Sequence, residues 1–158
     1  KIVLAGSGPH EERIKSLVHD LGLDSSVIFL GEVAFSDLPE FYRSADAGVV
    51  SSDYESFCFA ALEAMACGKP VISTRHVEIP NVIKRLLVDE KDVDGLARAL
   101  LQVYESAELR GELSIESRQT AIDYFSASNV DQTAAIFQRV IAGPQSPLKP
   151  HSPECVSS

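Results

Sequence analysis

Apolar positions fall along this chain in two alternating patterns, short continuous runs and longer stretches at helical spacing. Lys1 to Gly8 is an apolar run closed by a glycine-rich turn, the pattern of a buried strand that feeds a helix. From about His10 to Leu21 the apolar positions Ile14, Leu17, Val18 and Leu21 share one face, and Gly22 supplies the stop, which predicts a helix. Val27 to Leu30, closed by Gly31, reads as a second strand. Ser36 and Asp37 form the cap region of a short helix through Ser44, with Leu38, Phe41 and Tyr42 on its apolar face. Ala47 to Val50 is a third strand, about Ser56 to Cys67 a helix, Pro70 to Ser73 a fourth strand and Leu86 to Val88 a weaker fifth. Helices are predicted over Val93 to Glu105, Glu108 to about Tyr124, and Ser128 to Ile141.

Short apolar strands alternating with helices predict an α/β domain, a Rossmann-like doubly wound parallel sheet covered on both faces. Ligands of such sheets lie beyond the carboxyl ends of the strands, where strand order reverses. The loops to read for chemistry are therefore Gly6 to Pro9, Gly31 to Phe35, Ser51 to Ser56 and Thr74 to Pro80.

Composition narrows the partners. The 158 residues, 45% of them hydrophobic, suffice for one globular domain, placed at residues 1–142. Residues 143–158, GPQSPLKPHSPECVSS, are dominated by proline and serine and are expected to be a disordered tail. A net charge of -9 spread along the chain repels nucleic acid and anionic lipid, so neither is expected as a partner. Cys58, Cys67 and Cys155 make an odd count without a C-x-x-C pair, which points to a reduced, cytoplasmic protein without a zinc or disulfide framework. No apolar run is long enough to span a bilayer. The chain opens at Lys1 inside a strand pattern, and the expectation is a fragment, a processed form or a partial gene product.

Two loops carry candidate chemistry. In AGSGPHEE the third glycine of a dinucleotide fingerprint is replaced by Glu11, and Glu11 and Glu12 put negative charge where a pyrophosphate would dock, so a plain strand-to-helix turn is expected. The stretch Tyr54 to Val71 differs. Its helix opens on small or apolar residues, and free amides near Phe57 to Ala60 together with the helix dipole would favour an anion. With the helix taken to begin near Ser56, Glu63 lies about 12 Å beyond Glu55 along the axis at the usual helical rise. Carboxylates so spaced can each accept hydrogen bonds from sugar hydroxyls on either side of a diphosphate. The plainer alternative makes Glu55 an exposed loop residue and Glu63 part of a solvated face. Against it, Glu63 is the only charged residue from Phe57 to Cys67, so a helix buried by its apolar character must partner Glu63 or turn it toward a cleft.

The run ESFCFAALEAMACGKPVIST closely resembles the ESFG-x-x-x-LEAMA-x-G-x-PV signature of the family 4 retaining glycosyltransferases of two-domain GT-B fold. LAGSGPHEERIKSLVHDLGLDSSVIFLGEV and DLPEFYRSADAGVVSS are similar to the segments that precede that signature, so the likeness runs from about Ile2 to Leu101. The resemblance implies the C-terminal half of a GT-B fold, which binds a nucleotide-diphosphate sugar and transfers the sugar with retention, without metal or other cofactor. It assigns Glu55 to the catalytic centre, holding hydroxyls of the donor sugar. It assigns Ser56, Phe57, Cys58, Phe59 and Ala60 to the diphosphate loop, Glu63 to the ribose hydroxyls, and Gly31 to Val33 to the nucleobase pocket. The acceptor stays unspecified, and an N-terminal acceptor domain is the implied partner. The chain alone is then expected to be inactive; a stand-alone nucleotide-sugar-binding module and a degenerate interaction domain are the alternatives.

Three departures stand beside the likeness. Cys58 replaces the family's glycine, adding a side chain to the phosphate loop; a helix N-terminus there would also lower a thiol pKa. RHVEIPNVIKRLLVDEKD lacks the family's G-G-x-P-E turn and is several residues short. No Lys or Arg occurs between Ser44 and Gly68, and an Arg and a Lys that the family carries upstream of the first strand are not in this sequence. Arg75 and His76 after the fourth strand are candidates to approach a donor phosphate.

Overall fold

The computed structural model describes residues 1–77, 86–125 and 134–138. The shortened loop at Glu78 to Arg85 and the tail at 143–158 lie outside the described residues, as does most of the helix expected at Ser128 to Ile141, of which 134–138 are helical.

From residue 1 to 125 the described elements are β1 (Ile2–Ala5), α1 (Glu11–Asp20), β2 (Val27–Gly31), α2 (Leu38–Ser44), β3 (Gly48–Val50), α3 (Phe59–Ala66), β4 (Val71–Thr74), β5 (Leu86–Val88), α4 (Val93–Glu105) and α5 (Ala107–Phe125). All strand pairing within named strands is parallel, as the alternation of strands and helices predicts. The strands form two sets, β1–β2 and β3–β4–β5, with no ladder joining them among the described residues. Ile2, Val3 and Leu4 of β1 are all exposed, so no burial on that strand draws it into a wider sheet.

The packed centre lies around β4, whose four residues are all buried. Successive strand residues point to opposite faces. Val71 accordingly joins Ala61, Leu62, Ala64 and Met65 of α3, while Ile72 joins Val88, Ala99 and Val103 on the α4 side. A strand covered on both faces requires a run of apolar residues, which is why PVIS reads as continuous rather than alternating.

The helix α3 is shorter than its apolar pattern. It begins at Phe59, not near Ser56, because tertiary bonds hold the preceding backbone extended. The Thr74 hydroxyl donates to the Ser52 carbonyl, and the Glu55 amide donates to the His76 carbonyl at 3.1 Å in a parallel bridge between Glu55 and Val77. At its other end Gly68 takes φ +71, and the amides of Gly68 and Lys69 return to the carbonyls of Met65 and Ala64 at 2.8 and 2.9 Å. A left-handed residue closing a helix in this way satisfies carbonyls that the helix itself leaves open. The Arg118 guanidinium of α5 donates to the Ala66 carbonyl at 2.7 Å, placing a cation at the negative end of α3. The expected side-chain cap of α2 does not form; Ser36 donates to the Asp37 carboxylate at 2.9 Å instead.

Candidate functional site

The loop Ser51 to Cys58 leaves the carboxyl end of β3 and leads into α3. It is fastened to the segment after β4 by the two bonds from Thr74 and Glu55, so the exits of two neighbouring strands are tied together. Glu55 is half-buried, and its carboxylate has no hydrogen-bond partner among the described residues.

The first hydrogen bond of α3 runs from the Leu62 amide to the Cys58 carbonyl at 3.2 Å. The amides of Phe59, Ala60 and Ala61 have no backbone acceptor among the described residues, as the opening turn of any helix requires. The positive end of the α3 dipole thus lies at Phe59, later in the chain than the sequence predicts, and the amides of Ala60 and Ala61 are directed to the Cys58 sulfur. Ser56 is exposed, as are the rings of Phe57 and Phe59, which meet edge to face with centroids 5.0 Å apart.

Cys58 departs from its expected part. Its side chain is only 5% exposed and packs into the core with Ala61, Leu62 and Val77, instead of projecting from the loop. Its φ of -91° and ψ of 94° suit any residue, so glycine is not needed for the turn. Burial pushes the thiol above the ordinary cysteine value, and the charges of Glu55 and Glu63 push it the same way, while the amides of Ala61 and Ala60 pull it down without prevailing. The lowering that a helix N-terminus would give this thiol is outweighed by its burial.

Glu63 is half-buried on α3, and its Oε2 accepts a hydrogen bond from the Tyr42 hydroxyl of α2 at 2.9 Å. Sequence reasoning placed Tyr42 on the apolar face of α2 and gave it no polar task. The signal was its hydroxyl, since a core-facing tyrosine needs a partner where phenylalanine does not. Burial and the Glu63 carboxylate together push the Tyr42 pKa far up, so the phenol stays a donor throughout the neutral range.

Gly31 and Val33 belong to the other strand set. Gly31 adopts φ +67 at a bulge in the β1–β2 ladder, its carbonyl accepts from the Gly6 amide at 2.6 Å, and Ser7 donates to Glu32 at 3.2 Å. The loops after β1 and β2 are therefore joined to each other. No hydrogen bond links Gly31 or Val33 to the α3 group among the described residues. Arg75 and His76 are turned to carboxylates of the loop after β5: Arg75 pairs with Asp89, and His76 with Glu90 at 3.3 Å.

A separate cavity of about 210 Å³ opens at the ends of β3, β4 and β5 on the α4 side, lined by Ser51, Asp53, Thr74, Lys91 and Leu96 among others. It includes neither Glu55 nor Glu63. Among the described residues no group of three or more His, Cys, Asp and Glu converges on a metal position, and no helix is long and apolar enough to cross a membrane.

Comparison with known proteins agrees with this fold. The model of the family described as "Glycosyl transferases group 1" matches residues 1–120. A mannosylfructose-phosphate synthase of Agrobacterium fabrum is 36% identical over 124 residues, covering 76% of this chain and 27% of the relative. Among solved structures, a sucrose-phosphate synthase from Thermosynechococcus elongatus superposes with a TM-score of 0.80 at 28% identity, over 89% of this chain and 38% of that one. The C-terminal domain of a group 1 glycosyl transferase from Francisella tularensis superposes with a TM-score of 0.68 at 28% identity, over 74% of this chain and 63% of that domain. The chain thus spans about a third of the length of the full relatives it matches.

Proposed function

The chain belongs to the group 1 glycosyl transferases, and from that membership we propose that residues 1–142 are the donor-binding domain of a cytoplasmic enzyme that moves a sugar from a nucleotide-diphosphate sugar to an acceptor, with retention at the anomeric carbon. The observation that carries the reading is the mouth of α3, where the amides of Phe59, Ala60 and Ala61 have no backbone acceptor among the described residues and half-buried glutamates stand before and after them in the chain.

In this reading the amides and the positive end of α3 hold the diphosphate, without a metal. Glu55, its backbone pinned to His76, accepts from hydroxyls of the transferred sugar, and Glu63 accepts from the ribose. Neither carboxylate acts as a nucleophile. Ser56, Phe57 and Cys58 supply loop backbone beside the phosphates, and Gly31 to Val33 stand at the base. With no Lys or Arg between Ser44 and Gly68, this stretch meets the donor's negative charge with dipoles, each worth about 0.3–1 kcal/mol at an exposed site. Further cations and the acceptor site are assigned to a second domain of the intact enzyme. The exposed apolar residues of β1, β2 and α1, among them Ile2, Leu17, Leu21 and Leu30, favour such a docked domain.

Calorimetry of the 158-residue chain against UDP, GDP and ADP and their glucose or mannose conjugates tests the reading. One nucleotide series is expected to bind with weak affinity, in the range of about 0.1–1 mM, and Glu63→Ala to abolish the heat. No heat for any of the three diphosphates at millimolar concentration sinks the donor-site assignment. Turnover of a nucleotide-sugar by the isolated chain would refute the need for a second domain.

A further inference from the structure

Glu63 is the only charged residue between Phe57 and Cys67, and it sits on a helix whose neighbouring positions Leu62, Ala64 and Met65 are buried. A carboxylate in that setting has several rotamers, and binding a ligand with it means losing that freedom. The structure shows one group that removes it beforehand. The Tyr42 hydroxyl reaches across from α2 and donates to Oε2 at 2.9 Å, while no second hydrogen bond to the carboxylate is found among the described residues. Tyr42 is itself held: its ring packs against the α3 core and meets Phe41 edge to face at 5.5 Å, and the thiol of Cys67, the residue that follows α3, approaches the Pro39 carbonyl of α2 at 3.8 Å.

We propose that Tyr42 is a positioning residue for donor recognition, which fixes one oxygen of Glu63 so that the other is presented to the vicinal hydroxyls of the donor ribose. The inference rests on the assignment of Glu63 to the ribose and adds to it the source of discrimination between ribose and deoxyribose. A carboxylate with one oxygen anchored offers its remaining lone pairs in a set direction, which suits a rigid diol. Free to rotate, it would accept either hydroxyl alone or water. Because the tyrosine stays protonated through the neutral range, the anchor is present wherever the enzyme works.

The test is the ratio of affinities of the full 158-residue chain for UDP and 2′-deoxy-UDP, with GDP and ADP and their 2′-deoxy forms run in parallel. Hydrogen bonds to a charged group are strong enough that wild-type chain is expected to prefer the ribonucleotide by roughly tenfold or more. Tyr42→Phe, which deletes one oxygen atom and keeps the ring, is expected to cut that preference to about threefold or less and to leave the deoxy ligand within about twofold of wild type. Glu63→Gln is expected to erase the preference, and the double variant to be no worse than Glu63→Gln alone. A thermal melt confirms that each variant is folded. An unchanged ratio in Tyr42→Phe, or an equal loss for both ligands, overturns the positioning role and leaves the Glu63 assignment standing. A wild-type chain that binds ribo- and deoxyribonucleotides alike overturns the Glu63 assignment and the inference with it, and absence of binding to all three bases overturns the donor site as a whole.

Discussion

Cys58 illustrates how one residue can stand in a family motif and serve the core. Its thiol is inside, its backbone is unstrained, and its pKa lies on the unreactive side. Cys58→Gly would restore the usual family residue at the expense of packing: the buried side chain is lost and the unfolded chain gains freedom. The expected cost is about 1–3 kcal/mol, read from the urea midpoint, with nucleotide affinity unchanged. A variant that binds nucleotide more tightly would show that the thiol obstructs the phosphate loop after all. Tyr42 makes the complementary point, since a residue outside the glutamate signature supplies the direct partner of Glu63.

Among the elements, the contact between β3 and α3 is set by two small residues. A Cβ placed on Gly48 would come within 3.1 Å of the Cβ of Ala64. The strand that leads into the Glu55 loop therefore lies close against the helix that carries Glu63, and a larger side chain at position 48 would push them apart. Gly48→Val is expected to destabilise the chain by about 1–3 kcal/mol in chemical denaturation and to weaken nucleotide binding at the same time. Ala64→Gly in the same chain should recover part of both; recovery of neither would mean that the close approach does not position the site. The cap of α4 behaves more simply. The Asp92 carboxylate accepts from the Gly95 amide at 2.8 Å, and Asp92→Ala should cost about 1 kcal/mol of stability without affecting the nucleotide site.

Over the whole molecule, burial is uneven. The layers around β4 are packed on both faces, whereas α1 has no buried residue and β1 is exposed along its length. Leu17 and Leu21 are 55% and 62% exposed on a helix whose apolar stripe would normally face a core. Such a surface attracts a partner, and in the isolated chain it favours self-association. Sedimentation is expected to depend on concentration, and Leu17→Ser combined with Leu21→Ser to yield a monomer whose denaturation midpoint moves by no more than ~0.5 kcal/mol equivalent. A wild-type chain that is monomeric at every concentration would remove this face as a docking surface.

The sequence by itself determined the α/β class, the parallel strands, the spans of β5 and α4, and the singling out of Glu63 as the lone charge on an apolar helix. Each of these is written in local terms, through apolar periodicity, glycine stops and a single charge in an apolar helix. Three matters were decided only by the tertiary structure. The start of α3 at Phe59 depends on the bond from the Thr74 hydroxyl and on the Glu55 amide donating to the His76 carbonyl, partners distant in sequence that carry no periodic signal. The inward turn of Cys58 depends on space left beside Val77 and Leu62. The partner of Glu63 comes from a helix twenty-one positions earlier in the chain. Periodicity reports which face of an element is buried; it does not report which side chain of another element will meet a polar group there, because that is set by how the layers pack.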